Sequence, residues 1–387
     1  MNVNTRYIAA CIVLFLHSHA LPQTWTPTSS PNKVWQAIAQ SADGTKLVAV
    51  ASGSPGAIYT STNSGLNWVS NKAPQTAWNF VASSSDGSRL AATIFAGRIY
   101  VSTNAGATWT QSAAPTANWW SIASSSDGMQ LVAGSEGAGI YRSTNGGIGW
   151  ARLTNAPIQN YSSLASSTDG QKLLAGARTS GGVYVSSNSG ATWNLRTNIL
   201  INASGWVSVA SSWDGKVLIA MGRYAYVSTN SGNTWARQGT SPQSSQDVLT
   251  YAAASADGQY LAIAAADIGV YYSTNFGGTW VPTGTGPNSC VSLSANGSRL
   301  VAAETGGGIY VLNFPIPMPS IGLIKAVRPV FSDLSIGLNY QLQVSSDLNT
   351  WTNEGSAFGA TNNIMLYPHC FDVDDWGQLF FRLQVSP

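Results

Sequence analysis

Beyond residue 20 the 387-residue chain holds three glutamates, Glu136, Glu304 and Glu354, and one histidine, His369. A Ser-His-Asp or Cys-His nucleophile and a His-based zinc site are therefore excluded from the main body, and a lyase would lack its usual His base. Glycoside cleavage needs only two carboxylates, about 5–5.5 Å or about 6.5–9.5 Å apart. Glu136, Asp267 and Glu304 are the candidates for that work. The bland alternative is that each pairs with a nearby arginine or faces solvent, and so sparse an inventory favours it. Arg98, Arg178, Arg223 and Asp247, with Trp119 and Trp120, form a candidate binding set for a polar ligand with an apolar face. No metal and no cofactor are expected. The net charge of +2 is too small for a nucleic-acid binder, which needs a basic stripe.

These residues sit on a repeat. STNSGLNW at 61–68 returns as STNAGATW, STNGGIGW, SSNSGATW, STNSGNTW and STNFGGTW. The closing tryptophans, Trp68, Trp109, Trp150, Trp193, Trp235 and Trp280, are 41, 41, 43, 42 and 45 residues apart. Asp-Gly recurs at Asp43, Asp86, Asp127, Asp169, Asp214 and Asp257, and Asn296-Gly297 makes a seventh unit. Each unit reads as four short strands, a to d, with Asp-Gly as a two-residue a–b hairpin whose turn positions both take positive φ. A four-stranded sheet at this period cannot bury its faces alone and packs against its neighbours around an axis.

The ends of the array predict how it closes. The seventh unit breaks off after Ile309-Tyr310 into VLNFPIPMP, and its missing Trp strand lies at the other end, in Gln23-Thr24-Trp25-Thr26-Pro27. The expected fold is all-β: a seven-bladed β-propeller over residues 21–313, closed by the N-terminal strand. A Pro-rich linker follows at 314–319, then a small β-sandwich-like domain over 320–387. Its Asp372-x-Asp374-Asp375 stretch lacks the rest of a calcium loop and reads as an exposed loop.

The octapeptides resemble the Asp-box, or BNR repeat, of sialidase-like propellers. That family includes sialidases, xyloglucanases, sortilin-type receptors and photosystem II stability/assembly factors. The resemblance implies the propeller and places the boxes at c–d turns, opposite the ligand face. Here the box Asp is Asn in every copy: Asn63, Asn104, Asn145, Asn188, Asn230 and Asn275. Asn keeps the oxygen that caps the turn and tolerates a left-handed backbone, so these positions are expected to be structural. Sialidase chemistry does not carry over, since the Arg-Ile-Pro element is absent and glutamates are scarce.

In a propeller the b–c and d–a connections share one face. The b–c loops bring Arg98, Glu136, Arg178, Arg223, Asp267 and Glu304 there, whereas Arg89 and Arg299 follow the a–b turns on the opposite face and are expected to be solvated. Eight residues before the Asp-Gly and Asn-Gly turns stand Trp35, Trp78, Trp119, Tyr161 and Trp206, then Leu249 and Asn288. A position repeated in most blades reads first as packing between blades and only second as an aromatic cradle. Departures such as Trp120, the 194–205 and 236–248 loops, and Trp213 on the opposite face are better site candidates.

Residues 1–20, with Arg6, an apolar run and Ser18-His19-Ala20, read as a cleaved signal peptide, so export to the cell surface, periplasm or medium is expected. Cys290 and Cys370 are then the remaining cysteines, either bridged or free. The expected function is a monomeric, non-catalytic propeller without a membrane span, binding a glycan or a protein. The alternatives are a glycoside hydrolase or lyase using the loop carboxylates, and an assembly or adhesion factor like the photosystem-associated members.

Overall fold

The computed structural model describes residues 24–53, 56–71, 73–178, 182–197, 199, 208–222, 224–237, 250–265, 269–284, 287, 289–314, 326–327, 330–331, 334–361, 365–366, 371–372 and 380–386. The chain divides into two compact units, Ala20–Ile316 and a second that contains Pro317–Pro387.

Among the described residues the first unit holds seven four-stranded antiparallel sheets. Blade 3 is representative, with strands Trp119–Ser124, Leu131–Ser135, Gly139–Ser143 and Ala151–Arg152 in sheet order. Strand b is buried along most of its length, as in Leu47–Ser52 and Leu131–Ser135, because both sheet faces meet a neighbouring blade. Blade 7 takes its first three strands from Cys290–Leu293, Arg299–Ala303 and Ile309–Asn313, and its fourth from Thr26–Pro27 near the other end of the chain. Thr26 pairs with Val311 and Pro27 with Tyr310, so blade 7 receives its fourth strand and the ring is fastened by strand pairing.

Two further devices run around the ring on the a–b turn face. Backbone amides bond in a closed circuit, 42→85→126→168→213→256→295→42, each donor meeting the next blade's carbonyl at 2.7–2.9 Å. The residue two places after each turn glycine covers the next blade's turn glycine. Lys46 lies on Gly87, Arg89 on Gly128, Gln130 on Gly170, Lys172 on Gly215, Val217 on Gly258, Tyr260 on Gly297 and Arg299 on Gly44. A Cβ at any of these glycines would come within 2.3–2.9 Å of its cover. Arg299 is therefore not the solvated side chain that its position suggested. It is half-buried and donates to Ser64 O at 2.6 Å, and burial lowers its pKa.

The hairpin chemistry also departs from expectation. Gly44 N donates to Ser41 O at 2.9 Å, which makes Ala42 and Asp43 the central turn residues, and only the glycine takes positive φ (72°). Asp43 keeps its ordinary backbone because its carboxylate holds the turn, accepting Ser41 Oγ and the Thr45 amide. The same Ser-x-Asp lock recurs at Asp86, Asp127, Asp169, Asp214 and Asp257, and Asn296 replaces it in blade 7.

In the second unit the described residues form one three-stranded sheet, with Asn339–Ser345 between Thr352–Gly359 and Phe380–Ser386, and two short strand pairs. Its small core gathers Leu334, Tyr340 and Ala360. Asp374 and Asp375 lie outside the described residues.

Candidate functional site

The box asparagines are structural, by geometry. Asn63 Oδ1 accepts the Asn67 amide at 2.9 Å and the Ser61 hydroxyl at 3.0 Å, while Ser61 Oγ accepts the Gly65 amide. The other five copies repeat this, with Thr108, Gly149, Thr192, Thr234 and Thr279 amides on Asn104, Asn145, Asn188, Asn230 and Asn275 at 2.8–2.9 Å. The left-handed backbone falls one residue later than expected, at Ser64, Ala105, Gly146, Ser189, Ser231 and Phe276. Each Asn is occupied in bridging five residues of its own turn. Among the described residues no three His, Cys, Asp or Glu side chains gather.

The described repeated aromatics pack between blades, and Trp119, expected among the ligand-binding residues, is one of them; Trp206 lies outside the described residues. It is fully buried against Ala82, Ala91 and Ile99 of blade 2, meets Tyr141 edge-on at 5.3 Å, and donates Nε1–H to Gly97 O at 3.1 Å. Trp35, Trp78 and Tyr161 are held in the same way. No ligand on the face can reach Trp119.

Trp120, its neighbour in sequence, is aimed elsewhere by a β-bulge. The register of strand a slips between Trp119 and Ser121, and corresponding slips occur at Gln36, Asn79 and Ser162. A bulge re-aims the extra side chain. In the three other blades with a described bulge that residue is polar and tied down: Gln36 to Ser52, Asn79 to Trp119 O, Ser162 to Gly176 O. In blade 3 it is a tryptophan, half-buried, with three neighbours from three blades. Phe95 of blade 2 meets it edge-on at 5.5 Å, and the Arg178 guanidinium of blade 4 lies over its ring at 5.3 Å. Glu136 of its own blade accepts Nε1–H at 3.3 Å.

The surrounding backbone fixes this corner. Ile94 O accepts the Gly97 amide, and Ala96 takes φ 53°, which turns Phe95 out so that it stays 42% exposed. Gly97 and Ala117 bridge reciprocally, at 3.2 and 3.0 Å, tying the b–c loop of blade 2 to the connection into blade 3. Arg98 reinforces the same tie by donating to Ala114 O at 3.2 Å. Asn160 accepts the Gly137 amide at 3.0 Å and so holds the loop of Glu136 against blade 4. Phe95 carries no charge to mark it in the sequence, yet it occupies the loop position that Glu136 holds in blade 3, directly after strand b.

Of the candidate residues, then, Trp120, Arg178 and Glu136 come together and Arg98 supports them. Glu304 stands on blade 7, not adjacent to blade 3, and accepts the Tyr310 hydroxyl at 3.3 Å. Arg223, Asp247 and Asp267 lie outside the described residues. No described contact places a second carboxylate beside Glu136 or Glu304. Cys290 is a buried free thiol, pushed up to about 12 by burial; Cys370 lies outside the described residues. No described helix is long and apolar enough to cross a membrane.

No family model and no curated protein matches the chain. Among solved structures it is similar to YCF48 from Cyanidioschyzon merolae, with a TM-score of 0.56 and 13% identity over 77% of this chain and 100% of that one. At that identity the likeness is one of fold, and the fold is the β-propeller.

Proposed function

We propose that the chain is a non-catalytic propeller that binds a glycan on the face of its b–c and d–a connections, at the corner formed by Phe95, Trp120, Arg178 and Glu136. The supporting observation is that the only bulge position filled by a large aromatic among those described carries charged hydrogen-bonding groups on both flanks. An aromatic ring takes the C–H face of a sugar against its negative π face. The guanidinium and the carboxylate offer donors and acceptors for ring hydroxyls, with the orientation fixed by the bridges to neighbouring blades. The pattern of residues 1–20 supports an exported site of action, where glycans are met. The Asp-box kinship belongs to the same proposal, resting on the six octapeptides and their turn geometry.

The test is a broad glycan array followed by calorimetry on the best ligand. Trp120→Ala and Phe95→Ala should each weaken binding at least tenfold, about 1.4 kcal/mol, with the melting temperature little changed. An array without hits, or a ligand indifferent to both substitutions, sinks the proposal. New reducing ends appearing in the incubated glycans would overturn its non-catalytic part.

A further inference from the structure

On the face of the a–b and c–d turns, each pair of adjacent blades forms a groove, walled by strands c and d of one blade and the turns of the next. Repetition predicts that these grooves are alike, and three of them are filled, though by different means. Between blades 1 and 2 the groove is nearly closed, at about 10 Å³. Asn71 closes it: its amide lies against Gly106 and donates to the Thr60 hydroxyl at 3.2 Å. Between blades 3 and 4, Leu153 fills the space over Gly190, and Arg142 donates to Gln130 at 2.8 Å. Between blades 6 and 7, Tyr260, Tyr272 and Phe314 stack into it.

Between blades 4 and 5 the same groove stands open at about 470 Å³. The cause is two replacements. Val185 stands where Thr60 does, so no hydroxyl is present to fasten a plug, and Arg196 stands where Asn71 does. Lys172 has the same task as Lys46 in the closed groove, since each ammonium donates to the next blade's turn carbonyl at 2.7 Å. Arg196 lacks the bond that Asn71 makes, since the Val185 side chain offers no acceptor. Its Nε is buried without a hydrogen-bond partner, a costly condition for a charged donor. No Asp or Glu is among the lining residues. The nearby carboxylates are turned into their own hairpins: Asp169 on Ser167 and Gln171, Asp214 on Ser212 and Lys216.

We propose that the groove between blades 4 and 5 is a second binding site, for a carboxylate-bearing sugar ring such as a uronate. The Arg196 guanidinium takes the carboxylate, as a planar fork of donors does. Ser187, Ser231, Asn194 and Asn233 provide the polar rim for ring hydroxyls, and Leu173 and Leu218 line the apolar wall. The volume falls in the range of small-ligand sites, about 300–1,000 Å³, and suits one or two sugar rings. The site lies on the opposite face from Trp120, so it stands or falls independently of the function proposed above.

The experiment is calorimetric titration of the full chain with sodium glucuronate and sodium galacturonate, with glucose and sodium sulfate as reference probes. One or both uronates should bind at least tenfold tighter than either reference. Arg196→Gln should reduce that binding at least tenfold, while Arg152→Gln, which removes the same charge from an exposed strand, should not. The pair Val185→Thr with Arg196→Asn rebuilds the plug of blades 1 and 2. It should abolish binding and keep or raise the melting temperature, which separates loss of the site from loss of the fold. Glucose binding as well as the uronates overturns the role of the carboxylate, and sulfate binding as well overturns that of the ring. No uronate binding, or binding unchanged in the rebuilt variant, overturns the site itself.

Discussion

Trp119 and Trp120 are adjacent in sequence, of one residue type, and opposite in physical role. Trp119 occupies a position the repeat fills with Trp or Tyr in five of its units, and it is sealed between two blades with its N–H on a backbone carbonyl. Trp120 occupies the bulge position, which is filled by a polar residue in the three other blades with a described bulge, and it is the centre of an exposed corner. The difference extends to the two faces of the ring. The a–b turns themselves are uniform, with their closed amide circuit and seven covered glycines, because those devices work only if every blade contributes, whereas the grooves beside them are not. The b–c and d–a face has no such circuit among the described residues, and its loops differ from blade to blade. Repetition marks what the ring needs in order to close; departure from it marks what is left for a ligand.

Truncation tests this contrast most strongly. Trp119→Ala should cost about 4 kcal/mol in urea unfolding, because it opens a cavity between blades and removes one of the two donors on Gly97 O. Trp120→Ala should cost less than about 1 kcal/mol, since the side chain is half-buried at a surface corner. Equal costs would remove the distinction between scaffold and site.

A second pair separates packing from backbone strain. Gly297 and Gly137 have nearly the same φ, 71° and 72°, but a Cβ at Gly297 would lie 2.3 Å from Tyr260, whereas at Gly137 nothing lies within 4 Å. Gly137→Ala should cost about 1 kcal/mol, the left-handed penalty alone. Gly297→Ala should cost about 3 kcal/mol, as overpacking against a ring adds to it. If the two melt alike, the glycine cover is ornamental.

The smallest effect concerns acid. The Ser84 hydroxyl, with the Ser88 amide and hydroxyl, holds Asp86 down to about 2, and Asp43, Asp127 and Asp169 are lowered by the same Ser-x-Asp lock. A carboxylate depressed on folding contributes stability that is fully present above its unfolded value, about 4, and is lost as the pH falls through its folded value. The melting temperature should therefore be flat above about pH 5 and decline from about pH 4 towards pH 2. Asp86→Asn should flatten that decline slightly while keeping the turn, as Asn296 does in blade 7. A profile that falls only below pH 2 would show that these locks do not report folding.

The blade count, the strand order and the closure by the N-terminal strand were legible in the residues. A turn signal is local: Ser, Asp or Asn, and Gly at fixed offsets make the same hydrogen bonds wherever they occur, and a seventh unit without its last strand has to take one from elsewhere. The hairpin type was not legible, because Asp-Gly alone implies a pair of left-handed residues, while the serine two places before lets the aspartate keep its ordinary backbone. Trp120, Arg178 and Glu136 were legible as departures, but Phe95 was not, since its exposure depends on a turn at Ala96 and a bridge to Ala117.

By itself, then, the sequence determined the ring, because turns and strand edges impose needs that each segment of about 42 residues states on its own. Only the tertiary structure decided which of two neighbouring tryptophans is buried, and which of the grooves stays open. Both depend on side chains meeting across blades, such as Arg178 over Trp120, or Val185 and Arg196 where Thr60 and Asn71 would close the gap. The strand pattern specifies no such meeting, because what fills a space depends on its neighbours' volumes as much as on the residue that lines it.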